Sequence, residues 1–282
     1  MKIAFSPCPN DTFIFHAWVH GLIPGAPKLE VTYADIDITN AWAAGPNGPD
    51  IVKISYAALP WVSPDYALLP CGGALGRGCG PLVLTADKNA LNIGPRVLAG
   101  KRVAVPSERS TAYLLFRLWA AQQVSGGVGE IVVLPFHEIM PAVRDGKVDA
   151  GLVIHEARFT YPAYGLNLLV DLGSWWEADT CLPIPLGAII ARRSLDLPKI
   201  AAWIRESVKY AWANPEASRD YVLSHAQELS PEVANAHIKL YVNEFSENIG
   251  ENGYKAIDAL LSRATQAGLV PKVDLAAPVS LD

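Results

Sequence analysis

The clearest candidate for proton-transfer chemistry in the sequence is His155. It directly follows the apolar run at residues 148–154, which predicts a buried strand. In open parallel α/β sheets, ligands bind beyond the carboxyl ends of the strands, so a residue at this place faces a binding site. An imidazole with an ordinary pKa of about 6.5 can accept a proton at neutral pH. The sequence therefore predicts His155 as a general base, with activity that falls at acid pH near the ordinary histidine pKa.

Motifs for metal or nucleotide chemistry are incomplete in this chain. The dipeptides at residues 137–138 and 155–156 lack the second histidine of a zinc-hydrolase motif. His16 and His20 have helical spacing, but two ligands without a third give a weak metal signal. The glycine-rich segment at residues 71–80 matches neither a phosphate-binding loop nor a dinucleotide fingerprint. The sequence therefore predicts neither a metal nor a cofactor.

Two predicted helix starts could bind a small anion. Ser55 ends a predicted strand and opens a helix with Tyr56 and Ala57, and Ser110 and Thr111 precede the strongest helical pattern of the inserted part of the chain. The first N–H groups of a helix have no partner inside it, and the helix dipole adds to their attraction for a carboxylate or phosphate. An ordinary helix cap is the alternative function for each serine. If the starts face each other across a cleft, they predict binding of a small anionic ligand.

A stiff loop follows the first predicted strand. Pro7 and Pro9 restrict its path and remove two N–H donors, and Asn10 or Asp11 stands where a helix cap belongs. The loop could be a rigid turn with a cap, or it could present Asn10 and Asp11 to a ligand. Lys53, a charge inside an apolar predicted strand, also has two interpretations: an anion contact or a solvated strand edge.

Strand patterns alternate with helical patterns from the start of the chain to residue 191, which predicts βαβ units and a mostly parallel sheet. The clearest strands are predicted at residues 2–6, 29–34, 51–54, 66–69, 82–86, 102–105, 131–134, 148–154 and 186–191. After residue 193 the pattern indicates helices alone, with apolar stripes at residues 196–212, 216–229, 232–245 and 253–267. His225 and His237 fall in these tail helices, so the sequence does not connect them with the site.

The strand and helix pattern restarts at Lys101, after a stretch that is rich in structure breakers. A length of 282 residues also suits two domains of about 150 residues each. We therefore predict two α/β lobes around a cleft. The first lobe is discontinuous and holds residues 1–88 and 182–282, including the helical tail, and residues 89–181 form the second.

The net charge of −5 disfavours nucleic acid as a partner, because phosphate backbones are bound by clustered lysine and arginine side chains. The longest run without a charged residue, at residues 12–27, is shorter than the roughly 20 apolar residues of a spanning helix. Prolines and a charge at residues 7–11 interrupt any apolar signal-peptide segment. We therefore expect a cytoplasmic protein without a membrane segment.

Four segments together resemble the 1,4-dihydroxy-6-naphthoate synthase family of the futalosine route to menaquinone. They are residues 1–13 with the loop Ser-Pro-Cys-Pro-Asn-Asp-Thr-Phe, residues 53–58, the glycine-rich residues 72–80 and residues 151–156. The resemblance extends over essentially the whole chain. It implies a two-lobed, type II periplasmic-binding-protein-like α/β fold with a cleft between the lobes, used as an enzyme that needs no metal or redox cofactor.

The resemblance also implies a substrate, cyclic dehypoxanthinyl futalosine, whose sugar-derived part is released as the bicycle becomes aromatic. The family's proton-abstracting histidine falls on His155, and its substrate-contacting segments fall on residues 55–57 and on Ser110 and Thr111. The bicycle should lie against apolar or aromatic walls. The candidates for these walls are Trp42, Tyr56, Trp175 and Trp176.

Two other functions stay open on the sequence. A chorismate-dehydrating enzyme of the same pathway would share the scaffold, although the opening loop and the histidine-bearing strand end are more similar to the synthase. A solute-binding protein without catalytic activity would use the same fold for binding alone. Turnover of cyclic dehypoxanthinyl futalosine separates these three functions.

Overall fold

The computed structural model describes residues 1–226 and 230–274. Its strands are β1 (Lys2–Phe5), β2 (Glu30–Tyr33), β3 (Ile51–Ser55), β4 (Tyr66–Leu68), β5 (Ala74–Gly76), β6 (Leu82–Thr85), β7 (Val103–Val105), β8 (Ile131–Val133), β9 (Ala150–Val153), β10 (Asn167–Asp171) and β11 (Ile184–Arg192). Its α-helices are α1 (Pro9–Val19), α2 (Ile36–Ala43), α3 (Leu59–Val62), α4 (Ala90–Ile93), α5 (Thr111–Gln123), α6 (Phe136–Arg144), α7 (Ala157–Thr160), α8 (Leu172–Thr180), α9 (Leu197–Ala213), α10 (Arg219–His225), α11 (Pro231–Tyr241), α12 (Glu244–Glu247) and α13 (Gly250–Gln266). Short 3-10 turns occupy Tyr56–Ala58, Pro95–Leu98, Tyr161–Tyr164 and Pro215–Ser218.

The strands form two separate mixed sheets. The first has the order β2-β1-β3-β11-β4, with β5 paired to β11, and the second has the order β10-β6-β9-β7-β8. β1 is parallel to β2 and β3, and β7 is parallel to β8 and β9, as the alternation of strands and helices predicts. The expectation of a mostly parallel sheet is wrong, because the returning strand β11 runs antiparallel to β3, β4 and β5. β6 likewise runs antiparallel to β9 and β10.

Every predicted strand is present, and the structure adds β5 and β10. β5 is a three-residue strand inside the glycine-rich segment, where low β propensity hides it from a sequence pattern. β10 lies at the edge of the second sheet and is half-buried along its whole length, so its sequence lacks a clean alternation of apolar and polar residues.

The chain passes from the first sheet to the second between β5 and β6, and it returns between β10 and β11. β6 therefore pairs in the second sheet, although the predicted first lobe extends to residue 88. The buried apolar run of β6 indicates a core strand, but it carries no information about which sheet the strand joins. The division into lobes at residues 88 and 181 stays a prediction.

The chain after β11 is helical, as predicted. α9 and α13 match the first and last predicted tail helices closely. The prediction at residues 216–229 covers a 3-10 turn and α10, and its last part, residues 227–229, lies outside the described residues. The prediction at residues 232–245 divides into α11 and α12, because Asn243 starts a new helix through reciprocal hydrogen bonds with Ser246. No helix within the described part of the chain is long and apolar enough to cross a membrane.

Aromatic packing holds the loop between β1 and α1. The rings of Phe5 and Phe15 stack with their centroids 4.7 Å apart, and both side chains are fully buried. α9 packs against α1, where the Ser207 hydroxyl accepts a hydrogen bond from the backbone N–H of Trp18 at 3.3 Å. The loop that carries the Ser-Pro-Cys-Pro motif therefore begins and ends on elements of one apolar core.

Candidate active site

A cavity lies between the two sheets and is lined by side chains from both. Ser6, Ser55 and Ile154 reach it from the carboxyl ends of β1, β3 and β9. The polar part of its wall consists of Ser6, Asn10, Asp11, Lys53, Ser55, Ser110, Thr111, His155, His237 and Tyr241. Because ligands of α/β sheets bind at the carboxyl ends of the strands, this cavity is the candidate active site.

His155 lies at the cavity with one ring nitrogen engaged. Its Nδ1 is 3.3 Å from the sulfur of Cys8, and its ring meets that of Phe136 edge-on with centroids 5.5 Å apart. Its Nε2 has no hydrogen-bond partner within residues 1–226 and 230–274. The backbone φ of His155 is +54°, a left-handed conformation that residues other than glycine rarely adopt and that is frequent at active sites.

Burial lowers the pKa of His155 from its ordinary value of 6.5 to about 4. The Asp11 carboxylate raises this pKa and the Lys53 ammonium lowers it, so the two opposite charges partly offset each other. The expectation of an ordinary histidine pKa is wrong, because the desolvated ring resists charge. At neutral pH the imidazole is uncharged and can accept a proton.

Lys53 and Asp11 form a buried ion pair beside the cavity, with side chains that are 3% and 2% exposed. β3 lies between β1 and β11, so the interpretation of Lys53 as a solvated edge residue is wrong. Asp11 also accepts hydrogen bonds from the Ser6 hydroxyl at 2.7 Å and from the Asn10 amide at 2.8 Å. These contacts offset part of the cost of removing both charges from water.

A second imidazole at the cavity, His237, is missed by the sequence analysis. Its Nε2 lies 3.0 Å from Oδ1 of Asn10, and its ring is nearly parallel to that of His155 with centroids 6.4 Å apart. Burial lowers the pKa of His237 well below its ordinary value. A signal for it does exist in the sequence, because Ala234, His237 and Tyr241 form the buried stripe of α11 at helical spacing.

The hydrogen-bonding groups at the predicted helix start after Ser55 mostly bond to other groups of the protein. The Ala57 N–H donates to the hydroxyl of Thr111 at 3.2 Å, and that hydroxyl donates to the Leu186 carbonyl at 2.7 Å. Neither Tyr56 nor Ala57 lines the cavity. The start is a single 3-10 turn and not a helix with a row of open N–H groups. The structure therefore does not bring Tyr56 and Ala57 to the site.

Ser55 itself is positioned by Asn40, which the sequence analysis does not identify. The Ser55 N–H donates to Oδ1 of Asn40 at 2.8 Å, and Nδ2 of Asn40 donates to the Ser55 hydroxyl at 3.1 Å. Because the hydroxyl oxygen serves as the acceptor in this pair, its hydrogen is left for a ligand in the cavity. α2 thus fixes one polar group of the site from outside it.

The start of α5 presents backbone N–H groups to the cavity. The Ser110 hydroxyl accepts from the Tyr113 N–H at 3.1 Å and donates to the Ser107 carbonyl at 2.9 Å, so Ser110 is a helix cap. The N–H groups of Thr111 and Ala112 have no hydrogen-bond partner among the described residues, and both residues line the cavity. These two N–H groups and the dipole of a 13-residue helix can bind a carboxylate.

The aromatic residues predicted as cavity walls lie elsewhere. Trp176 is fully buried and packs under Arg263, with Trp175 beside it. Trp42 is exposed on α2, and Tyr56 is buried in the core. The apolar wall is formed by Ile36, Ile154, Leu186 and the ring of Tyr241. The prediction is wrong because the general tendency of large aromatics to be buried does not identify which core they join.

Cys8, His155 and Glu156 bring their donor atoms within 4.8 Å of one another, which is a spacing that could hold a metal ion. A thiol must lose its proton to become a strong metal ligand. Burial and the neighbouring Glu156 carboxylate raise the pKa of Cys8 well above its ordinary value. The donor set therefore fits a metal poorly at neutral pH, and it fits a hydrogen bond between the thiol and the imidazole well.

Two mixed sheets around a cavity, followed by a helical region, define a periplasmic-binding-protein-like fold, as predicted. The aliphatic sulphonate binding protein from Escherichia coli has this fold, with a TM-score of 0.69, 15% identity and coverage of 100% of this chain and 93% of that one. A protein from Archaeoglobus fulgidus is more similar, with a TM-score of 0.86, 33% identity and coverage of 95% and 98%. The cavity contains a neutral imidazole and a buried ion pair, which are side chains that can catalyse proton transfer. These features indicate an enzyme built on the scaffold of a binding protein.

Sequence comparison identifies the enzyme family. A family described as menaquinone biosynthesis matches residues 1–266. A 1,4-dihydroxy-6-naphthoate synthase of Streptomyces coelicolor is 66% identical over 274 residues, which are 96% of this chain and 95% of the relative. A synthase of the same name from Thermus thermophilus is 48% identical over 273 residues, 95% of either chain. The chain belongs to this family of menaquinone-biosynthesis enzymes, so the resemblance seen in the sequence is confirmed.

Proposed function

We propose that the chain forms 1,4-dihydroxy-6-naphthoate from cyclic dehypoxanthinyl futalosine, with His155 as the general base. The observation that carries this proposal is a half-buried imidazole that lines the cavity and whose Nδ1 lies 3.3 Å from the sulfur of Cys8. The synthases of Streptomyces coelicolor and Thermus thermophilus support the same product. The substrate is a small organic anion, which suits a cavity with open N–H donors at the start of α5.

The chemistry begins at a carbon atom next to a carbonyl group of the substrate. Nε2 of His155 accepts the proton, and the electron pair of the C–H bond moves into the ring system as an enolate. The hydroxyl of Ser55 and the ammonium of Lys53 line the cavity as donors for the developing oxyanion. The bond to the sugar-derived fragment then breaks, the fragment takes the proton from the imidazolium, and the bicycle becomes aromatic.

The carboxylate of the substrate binds at the start of α5 in this proposal. The open N–H groups of Thr111 and Ala112 point from the positive end of the helix dipole, and Ser110 caps the turn that presents them. Such a site orients the bicycle with one end fixed. The carbon acid at the other end then meets His155 across the cavity.

We expect Thr111→Ala to raise KM by roughly 10- to 100-fold, since it displaces the N–H donors of the substrate carboxylate and a hydrogen bond to a charged group contributes about 1.5 to 3 kcal/mol. Ser55→Ala should instead lower kcat by roughly 100-fold, since its hydroxyl donates to the developing oxyanion in this proposal. Thr111→Ala leaves the Ala57 N–H and the Leu186 carbonyl without their shared partner, so the start of α5 loses its fixed position. Thr111→Ser keeps the hydroxyl and is the matched control, with a KM close to that of the parent. Steady-state kinetics measures both, and an unchanged KM in Thr111→Ala together with an unchanged kcat in Ser55→Ala removes these residues from the site.

We expect kcat/KM to fall at acid pH with an apparent pKa of about 4. Only the neutral imidazole accepts a proton, and a pKa of about 4 keeps His155 neutral above that pH. Activity should therefore persist through pH 6.5 and be lost as the pH falls toward 4. Initial rates at low substrate concentration measure this limb, and half-maximal activity at pH 6.5 would contradict a buried base.

Acid pH should also lower the free energy of unfolding as the pH falls from 6.5 to 4. The unfolded chain binds a proton at His155 near pH 6.5, whereas the folded chain binds it only near 4. The stability that this neutral histidine contributes is therefore complete above pH 6.5 and declines as the pH falls to 4. Circular dichroism at each pH separates loss of fold from titration of the base.

Incubation of the purified chain with cyclic dehypoxanthinyl futalosine tests the proposed function directly. Formation of the naphthoate chromophore, identified by mass spectrometry, is the expected result. Chorismate in a parallel reaction should stay unchanged, because an enzyme that dehydrates it is the alternative on the same scaffold. Binding of either compound without turnover would contradict the proposal and indicate a solute-binding protein.

We also propose that the enzyme works in the cytoplasm. Membership of a family of menaquinone-biosynthesis enzymes supports this location. Cell fractionation followed by immunodetection should find the protein with cytoplasmic markers, and recovery from the membrane or periplasmic fraction would refute the location.

A further inference from the structure

The backbone of His155 is held in an unusual turn. Its φ of +54° lies in the left-handed region, which a residue with a side chain keeps only where neighbouring contacts fix it. The carbonyl of His155 accepts a hydrogen bond from the Arg158 N–H at 3.3 Å, and α7 begins in the same turn at Ala157. The side chain of Arg158 is mostly buried, with 19% of its surface exposed. The contacts of the Arg158 guanidinium therefore anchor the turn that carries the proposed base.

The guanidinium of Arg158 binds two distant segments at once. Its Nη1 donates to the Gly80 carbonyl at 2.8 Å, and its Nη2 donates to Oδ2 of Asp171. Gly80 lies between Cys79 and Pro81, which both line the cavity, and Asp171 is the last residue of β10. A planar guanidinium serves two acceptors in fixed directions, whereas a lysine ammonium acts as a single flexible charge. Arg158 therefore connects the turn after β9 with two segments that are far from it in sequence.

These two segments pack against each other as one block. Oδ1 of Asp171 accepts from the Gly173 N–H at 2.8 Å and so caps α8, and the Leu172 N–H donates to the Pro81 carbonyl at 2.9 Å. Gly80 and Gly173 approach so closely that a Cβ atom on Gly80 would overlap the backbone nitrogen of Gly173. The guanidinium is thus bound to a part of the protein that has little room to move.

We propose that Arg158 is a positioning residue, which fixes the imidazole of His155 at the cavity by tying its turn to the block of Gly80 and Asp171. Arg158 lies outside the cavity wall, so it acts on the reaction through His155. The inference rests on the proposed function, because that function makes His155 the base. A catalytic group that is displaced by about 1 Å can cost about 10²-fold in rate. Loss of the anchor should therefore lower kcat and leave substrate binding intact.

Arg158→Lys keeps the positive charge, but its ammonium cannot hold both acceptors in the geometry of the guanidinium. We expect kcat to fall by about 10- to 100-fold with KM within about twofold of the parent. The matched control is Arg77→Lys, because Arg77 binds the same block without reaching the histidine turn. Its Nη2 donates to the Cys181 carbonyl at 2.9 Å, and its Nη1 lies 3.5 Å from the Glu177 carboxylate. This control should retain the parent kcat and KM.

The pKa of His155, followed by NMR through its carbon-bound ring protons, tests the position of the ring without any substrate. Burial holds this pKa at about 4, so a ring displaced toward water should titrate at a higher pH. Arg158→Lys retains the cation, so the rise reports a moved ring and not a lost charge. The titratable groups around the ring are the same in parent and variant: Cys8, Asp11, Lys53, Glu156 and His237. A contact that only stabilised the fold would lower the melting temperature without raising this pKa.

Asp171→Asn tests the same anchor from its other side. It removes the charge that pairs with Arg158 and keeps an amide oxygen that can cap α8. We expect the same directions of change in kcat and in the pKa of His155, and this variant decides the matter if Arg158→Lys does not fold. A His155 pKa equal to that of the parent in the folded variant overturns the proposal, whatever happens to kcat. If the parent does not turn over cyclic dehypoxanthinyl futalosine, the proposed function fails, and the pKa measurement still decides whether Arg158 positions the ring.

Discussion

His155→Asn is expected to lower kcat by at least ~100-fold, since general-base catalysis typically contributes 10²- to 10⁴-fold. An amide side chain cannot accept the substrate proton. KM should change little, because in the proposed binding mode the carboxylate contacts Thr111 and Ala112, which line the cavity at the start of α5. The pH dependence that His155 imposes should disappear together with the activity.

Asparagine is the suitable replacement for structural reasons. The backbone φ of His155 is +54°, and asparagine tolerates this left-handed conformation better than most residues with a side chain. Its amide can also keep a polar contact with Cys8 in place of Nδ1. A loss of activity therefore does not follow from strain in the turn or from an empty space beside the thiol.

The matched control is His137→Asn, the same exchange at an exposed histidine of α6 whose side chain is 78% accessible. It should retain the parent kcat and KM. Both variants are compared by circular dichroism, thermal melting and turnover of cyclic dehypoxanthinyl futalosine. A folded His155→Asn variant with nearly the parent rate would move the base elsewhere, with Asp11 and Glu156 as the next residues to substitute.

The position of His155 could be predicted because it depends on a local rule. A run of apolar residues predicts a strand, and the residue after a strand in an α/β sheet lies at the ligand edge. Ser55 and Ser110 follow from the same rule, and each of the three lines the cavity. The strands of the parallel pairs were predictable for the same reason, since they alternate with helices along the chain.

The parts that could not be predicted depend on contacts between distant segments. His237 meets Asn10 across 227 positions of sequence, and Lys53 meets Asp11 across 42. No local pattern tells whether a lone charge in a strand is at an edge or in the centre. Lys53 lies inside the sheet because β11 pairs with the side of β3 that faces away from β1, after the chain returns from the second sheet.

Removal of Lys53 should give the largest loss of stability among single substitutions at the site. Lys53→Met keeps the length of the side chain but leaves the Asp11 carboxylate buried without its cation. Breaking a buried ion pair in this way typically costs about 3 to 5 kcal/mol, because the remaining charge stays out of water. Chemical denaturation of the two proteins at neutral pH should show this decrease in the free energy of unfolding.

The double variant Asp11→Asn/Lys53→Met should recover most of that loss. With no charge left in the core, the penalty of an unpaired carboxylate is absent, and the amide oxygen that replaces the carboxylate can still accept from Ser6. The matched control is Lys199→Met, which breaks an exposed ion pair with Asp196 at 2.7 Å and should barely change stability. If Lys53→Met is no more destabilising than Lys199→Met, the buried pair does not hold the site together. If instead the double variant is as unstable as Lys53→Met alone, the loss comes from packing around the ammonium stem and not from the stranded charge.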